Sequence, residues 1–301
     1  MTSVEVTNLT KQFTIRQGWK RWQLTAVNEV SFALKPGRTV ALVGESGSGK
    51  STVARMLLRL ENPTSGTIKV TQESGAEVPR SAYRRHVQMV FQDPFASLNP
   101  FHTVEHHISR PLLLHRRTKG RAATHERVLE TLERVNLTPA EDIAIRRPHE
   151  LSGGQRQRVA IARALAPGAQ VLIADEPVSM LDVSIRLGVL RLLARLQRED
   201  QLAVLYITHD LATARHFSDE ILVLYRGRVV ERGPADDVIL TPRHPYTKLL
   251  ALAAPDPQNP GKVVSRASID RSAIDNTVAY DHYTGQWSGD PDRILAAEPQ
   301  R

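Results

Sequence analysis

The chain contains no cysteine. Disulfides, thiolate metal sites and cysteine nucleophiles are therefore excluded, a pattern that suits a cytosolic protein. Long apolar runs are also missing, and none reaches the roughly 18 residues that a bilayer span needs. The opening residues Met1-Thr2-Ser3-Val4-Glu5 have neither a basic start nor an apolar stretch. Export by a signal peptide is therefore not expected. Aromatic residues are scarce at 5%, and the basic residues behind the net charge of +8 are dispersed. No nucleic-acid-binding motif is visible, so nucleic acid is not an expected partner. An excess of that size still attracts smaller anions and anionic surfaces. The densest basic stretches, residues 16–21 and 116–121, read first as solvated loops or helix faces. A contact with a membrane surface is the second reading. At 301 residues, 41% of them hydrophobic, the chain can bury a full core and hold one large domain or two.

Four short apolar runs are present, at residues 39–43, 87–91, 171–174 and 204–208. Continuous apolar runs suit strands covered on both faces, as in a parallel sheet. Each run ends in polar residues: the loop after Val43, then Gln92, then Asp175 with Glu176, then His209. In open α/β sheets that edge is where ligands bind. Helical spacing appears at residues 51–60, through Val53, Met56, Leu57 and Leu60, with Asn62-Pro63 as the stop. It recurs at 185–199 through Ile185, Val189, Leu192, Leu193 and Leu196, with Arg186, Arg191, Arg195 and Arg198 as a solvated face. Around Tyr225-Arg226-Gly227-Arg228 two short strands flank a turn. Residues 93–166 break the strand–helix alternation and include helical stretches at 122–135 and 155–165, so they read as a helical insert. After Ala254, prolines 255, 257 and 260 break periodicity and the rest reads as a tail, partly disordered or draped on the core.

Two motifs carry the chemistry. Gly44-Glu45-Ser46-Gly47-Ser48-Gly49-Lys50-Ser51, followed by Thr52, lies between a strand and a helix, the context of a phosphate loop. Its backbone N–H groups and helix N-terminus suit phosphate oxygens. Lys50 is placed to reach the β- and γ-phosphates, and Ser51 to ligate Mg²⁺. Leu151-Ser152-Gly153-Gly154-Gln155 also precedes a helix and forms a second anion site. The first motif arises in roughly one random chain of this length in a hundred, the second in only a few per ten thousand. Finding both, in order, argues against chance. Asp175 is suited to hold Mg²⁺, directly or through water, and Glu176 to act as general base on an attacking water. An Asp-Glu pair alone would read as a helix cap or surface charge; the strand before it and the phosphate loop reverse that. His102-Thr103-Val104-Glu105-His106 fits an inverted zinc-protease pattern, with His107 beside it. Its place in the helical insert, away from the four strand ends, argues against that chemistry.

The combination of residues 44–51, 151–155 and 171–176 resembles the ATP-binding subunits of ABC transporters, over about residues 4–252. The resemblance implies a P-loop NTPase fold: a mostly parallel α/β core, an antiparallel β subdomain and a helical subdomain. Residues 1–254 would form the ATPase domain, with 93–166 inserted, and 255–301 the tail. ATP and Mg²⁺ are the implied cofactors. Gln92 matches the glutamine that approaches Mg²⁺ and the attacking water and hinges the insert. His209 matches the switch histidine on the γ-phosphate, and Phe13 the aromatic that stacks on adenine. Ser152, Gly153, Gly154 and Gln155 would complete the site of a second, identical or paralogous subunit in a head-to-tail dimer. Asp182, in Ser179-Met180-Leu181-Asp182, would cross that interface. The family more often has alanine at Met180, which implies a small repacking there.

Residues 91–100 and His244-Pro245-Tyr246-Thr247 resemble the ATPases of oligopeptide, dipeptide and nickel importers. Residues 16–25 resemble an insertion those proteins carry. Many relatives have a cysteine cluster after the His-Pro-Tyr segment; its absence here rules out an iron–sulfur cluster. The implied partners are two permease subunits and an extracytoplasmic solute-binding protein, at the cytoplasmic side of the cell membrane, with residues 95–104 as the candidate permease contact. The rival class is a soluble ABC ATPase, which usually carries tandem domains or a coiled coil; neither is visible. A regulatory subunit with degraded motifs is disfavoured because every motif is intact.

Overall fold

Where apolar residues run together the chain forms strands, and where they recur every three or four positions it forms helices. The computed structural model describes residues 1–253, 274 and 278–288. In chain order it begins with β1 (Thr2–Gln17), β2 (Lys20–Leu34), β3 (Thr39–Val43), α1 (Lys50–Leu57), β4 (Ser65–Gln72), α2 (Arg80–His86) and β5 (Val87–Val90). Five helices follow: α3 (Pro94–Ser97), α4 (Val104–Leu114), α5 (Arg121–Arg134), α6 (Ala140–Ile145) and α7 (Gly153–Leu165). Next come β6 (Val171–Asp175), α8 (Val183–Glu199), β7 (Ala203–Thr208), α9 (Leu211–Phe217), β8 (Glu220–Tyr225) and β9 (Arg228–Pro234). The described chain closes with α10 (Ala235–Leu240), α11 (Pro245–Ala253), β10 (Ala279–Asp281) and β11 (Gln286–Ser288). Among the described residues, no helix is long and apolar enough to cross a membrane.

Two units divide the chain. The first comprises Met1–Val4, Ala33–Arg38 and Lys69–Leu205. In it β5 and β6 pair in parallel, from Val87 opposite Val171 to Val90 opposite Ala174. Strand β5 stops at Val90 rather than at residue 91, and Phe91 is exposed, because the chain turns out of the strand there. Helices α3–α7 share a core built on helical spacing: Val104, Ile108 and Leu112 from α4, Val128 and Leu132 from α5, Val159 and Ile161 from α7. Burying one such side chain contributes roughly 1.5–3 kcal/mol.

Two of the α8 arginines are not solvent ornaments. Arg186 donates to the carbonyls of Leu181 and Ser179, and Arg195 donates to the carbonyl of Arg134 and to Asn136. Their long stems reach carbonyls that the neighbouring turns leave unpaired; Arg191 and Arg198 remain exposed, as the solvated-face reading expects. Helix α5 ends with Asn136 at φ 57°, its N–H bonding the Glu133 carbonyl while Leu137 N–H bonds that of Leu132. This double closure needs a left-handed residue, which asparagine tolerates better than most. Asn136→Ala should lower unfolding stability by about 1 kcal/mol, with Asn136→Gly losing less. Denaturant titration showing no difference between the two variants would contradict this account of the helix stop.

The second unit comprises Glu5–Phe32, Thr39–Ile68 and the chain from Tyr206 onward. A three-stranded sheet has the order β2-β1-β4. Residues 16–25 lie at its β1–β2 tip, which turns at Gly18 and leaves Trp19 wholly exposed. Every residue of β3 is buried, and β3 pairs in parallel with β8 from Val40–Glu220 to Val43–Val223. Strand β8 turns into antiparallel β9 at Arg226-Gly227, as the sequence predicts. Helix α1 ends earlier than its spacing suggested. Arg59 takes φ 55°, its N–H bonds the Met56 carbonyl and Leu60 N–H bonds that of Arg55, so Leu60 points to solvent.

The tail holds a feature the sequence did not reveal. Strand β10 pairs in parallel with β9, and β11 folds back antiparallel on β10. Strands of three residues are too short to show alternation. The remainder of 254–301 lies outside the described residues, and the tail expectation falls there.

Candidate functional site

In the second unit β3 delivers the chain into the loop of Gly44, Glu45, Ser46, Gly47, Ser48 and Gly49. Gly49 has φ 109°, and a Cβ there would lie 2.3 Å from the Ala26 carbonyl oxygen, so only glycine fits. Helix α1 then starts at Lys50 without a side-chain cap, the arrangement in which a helix N-terminus receives an anion. Lys50 is buried, and its Nζ donates to the carbonyls of Gly44 at 2.7 Å and Glu45 at 2.8 Å. The loop is thereby arched around its own lysine. Ser51 is exposed and Thr52 half-buried on the first turn. From outside, Gly227 N–H donates to the Ser48 carbonyl at 2.9 Å, and Glu45 N–H donates to the Tyr246 hydroxyl at 3.0 Å. Phe13 is half-buried, with Lys11 Nζ 4.9 Å from its ring centre. His209 is exposed at the end of β7, and Asp210 after it caps α9.

The first unit brings together residues far apart in sequence. Asp175 closes β6. Gln92 Nε2 donates to Glu176 Oε2 at 2.9 Å. Glu176 sits at φ 44°, a left-handed conformation uncommon for residues other than glycine. Its carbonyl accepts from Ser179 N–H and from the Ser179 hydroxyl, which fixes the turn leading to α8. Asp182 is exposed at the start of α8. Met180 is also exposed.

Ser152 and Gln155 form a reciprocal cap on α7. The Ser152 hydroxyl accepts from Gln155 N–H at 3.2 Å, and the Gln155 side chain accepts from Ser152 N–H at 2.9 Å. The Ser-x-x-Gln spacing carries this signal, which the motif reading had passed over. A Cβ on Gly154 would come within 2.6 Å of Ile185 Cγ2, so glycine is required for α7 to pack on α8. Gly153 lies half-buried on the same turn. Two arginines of α7 reach the segment after Gln92: Arg156 lies 4.2 Å over the Phe95 ring, and Arg163 donates to the Ser97 carbonyl.

The histidine decoy resolves into packing. His102 and His106 stack at 3.9 Å, Glu105 instead pairs with His125 at 2.9 Å, and His107 Nε2–H donates to the Asn99 carbonyl. Burial pushes the His107 pKa down, which keeps that ring neutral. Among the described residues no group of three or more histidines and carboxylates is suited to hold a metal.

An arched phosphate loop, a glutamate at a strand end and a capped Ser-Gly-Gly-Gln turn define an ATP-binding cassette. Comparison with known proteins agrees: residues 27–179 match the ABC transporter family, and the chain belongs to it. Residues 230–277 match the C-terminal region of oligopeptide/dipeptide transporters. The chain is 43% identical over 268 residues to the di/tripeptide transport ATP-binding protein DppF of Pseudomonas aeruginosa, across 86% of this chain and 82% of that protein. It is 44% identical over 269 residues to the oligopeptide transport ATP-binding protein AppF of Bacillus subtilis, across 87% and 81%. A solved dimeric ATP-binding cassette in a post-hydrolysis state, bound to ADP and Pi, matches with a TM-score of 0.64 and 32% identity, over 77% of this chain and 98% of that one. The expected P-loop ABC ATPase fold, with nucleotide as its ligand, is therefore established.

Proposed function

We propose that this chain is the ATP-hydrolysing subunit that powers a peptide importer, working at the cytoplasmic face of the cell membrane. The carrying observation for hydrolysis is the 2.9 Å Gln92–Glu176 hydrogen bond, made by a glutamate in a left-handed conformation. Glu176 accepts the proton of the water that attacks the γ-phosphate. Lys50 neutralises the β- and γ-phosphates, the backbone of residues 44–52 cradles them, and His209 bonds the γ-phosphate. Phe13 stacks on adenine. Ser51 and Asp175, with Gln92 nearby in role, are hard oxygen donors of the type Mg²⁺ selects. That ion, when bound, supplies positive charge to the phosphates. Ser152, Gly153, Gly154, Gln155 and Asp182 serve the site of a second cassette, identical or paralogous.

The peptide class is supported by the match of residues 230–277 and by the names of the relatives. The other partners are two permease subunits and an extracytoplasmic solute-binding protein, with no nucleic acid. Gln92 links γ-phosphate contact to the helices that follow it, and these act as a lever. Phe101, 83% exposed, and Phe95 present the surface that receives the permease. The Arg156–Phe95 contact ties that surface to the helix carrying Ser152 at its cap.

Deleting the gene should abolish uptake of small peptides while other nutrients enter normally. Loss of nickel uptake instead would move the assignment to the nickel branch. Phe101→Asp should uncouple transport while basal ATPase activity persists. A protein found with no membrane partner in any nucleotide state would overturn this reading in favour of a soluble ABC ATPase.

A further inference from the structure

We propose that Tyr246 is a positioning residue for the phosphate loop, and that the β10–β11 hairpin sets its hold through His282 and Glu231. The proposal rests on the phosphate-loop reading above and extends it to a segment beyond the matched C-terminal region.

Glu231 on β9 is wholly buried, and a buried carboxylate persists only when donors surround it. Three do. Arg243 N–H reaches Oε1 at 2.8 Å, His244 N–H reaches Oε2 at 3.0 Å, and His282 Nε2 reaches Oε1 at 2.7 Å. Two of these donors are backbone groups just before α11, so Glu231 fixes where that helix starts. The third comes from the hairpin. His282 is seated closely: its N–H donates to the Arg232 carbonyl at 2.9 Å, and Gly233 leaves room for its Cβ. Asp281 pairs with Arg232 at 3.2 Å on the same edge.

From the start of α11 the connection runs inward. His244 Nδ1 accepts Tyr246 N–H at 3.1 Å, which sets the first turn. The Tyr246 ring is buried against Tyr225, at 4.4 Å between ring centres. Burial pushes its phenol up to about 12, so it stays a neutral hydroxyl. That hydroxyl accepts Glu45 N–H at 3.0 Å. The peptide unit that carries this N–H also carries the Gly44 carbonyl, which accepts from Lys50 Nζ at 2.7 Å. In a planar trans peptide the two groups point opposite ways. Tyr246 and Lys50 therefore grip one peptide from its two sides. Removing the phenol oxygen frees that peptide to rotate and releases the carbonyl that orients Lys50.

The test uses the purified full chain, with ATP binding measured at equilibrium and steady-state ATPase kinetics beside it. Tyr246→Phe, which keeps the ring, should raise Kd and KM for ATP by on the order of five-fold, the worth of one hydrogen bond. Its kcat and melting temperature should move much less. His282→Ala should weaken ATP in the same direction, His282→Gln, which retains a donor, should restore it, and the double variant should be no weaker than Tyr246→Phe alone. Wild-type affinity in Tyr246→Phe, with binding lost in Lys50→Ala, would overturn the positioning role and leave the phosphate loop standing. Unchanged binding in Lys50→Ala as well would overturn both. Independent, additive effects of Tyr246→Phe and His282→Ala, or equal loss in His282→Gln and His282→Ala, would overturn the link to the hairpin.

Discussion

Glu176→Gln is expected to keep ATP binding and to remove most turnover, by roughly 10²–10⁴-fold. The substitution preserves shape. The glutamine oxygen can still accept from Gln92 Nε2, as Glu176 Oε2 does at 2.9 Å. What is lost is the ability to take a proton from the attacking water. Its backbone stays at φ 44° in the variant, so the side chain keeps its direction. Holding a glutamate in that region costs about 1–3 kcal/mol, and the Ser179 bonds to its carbonyl hold it there. The ATP-bound dimer should then accumulate, visible by size-exclusion chromatography with nucleotide. Near-normal hydrolysis by this variant would remove Glu176 as the base.

The second large effect separates two halves of one site. Lys50→Ala should weaken ATP binding by the isolated chain by about ten-fold or more, since it removes a charged donor to phosphate. It also removes the two bonds that arch the loop. Ser152→Arg should act differently. It loses the cap on α7, about 1 kcal/mol, and places bulk at an exposed turn, while ATP binding by the single chain persists. Hydrolysis should nevertheless fall to background, because the second cassette can no longer close over the nucleotide. Full ATPase activity in Ser152→Arg would contradict a shared site.

What was legible in the sequence was local. The phosphate loop, Ser152 to Gln155 and the Asp175-Glu176 strand end are contiguous, so their spacing places them directly at the ends of helices and a strand. The fully buried strands β3 and β7 were readable because burial on both faces leaves an unbroken apolar run. The contact of Gln92 with Glu176, 84 positions apart, was reachable only through resemblance. Glu45 and Tyr246 are separated by 201 positions and Glu231 and His282 by 51, and such contacts leave no periodic trace. Leu60 misled because its spacing was helical while Arg59 had already turned the chain left-handed. Arg186 and Arg195 misled because a charged side chain on an outer face reads as solvated until the carbonyls it caps are known.

Mixing the two inactive variants of the purified chain tests the central claim most directly. Lys50→Ala retains an intact Ser152, and Ser152→Arg retains an intact Lys50. If the nucleotide is held between Lys50 of one cassette and Ser152 of the other, each mixed dimer regains one complete site. ATPase activity should then appear on mixing and depend on the proportion of the two chains. Mixed dimers that form with ATP yet stay as inactive as either parent would contradict the account.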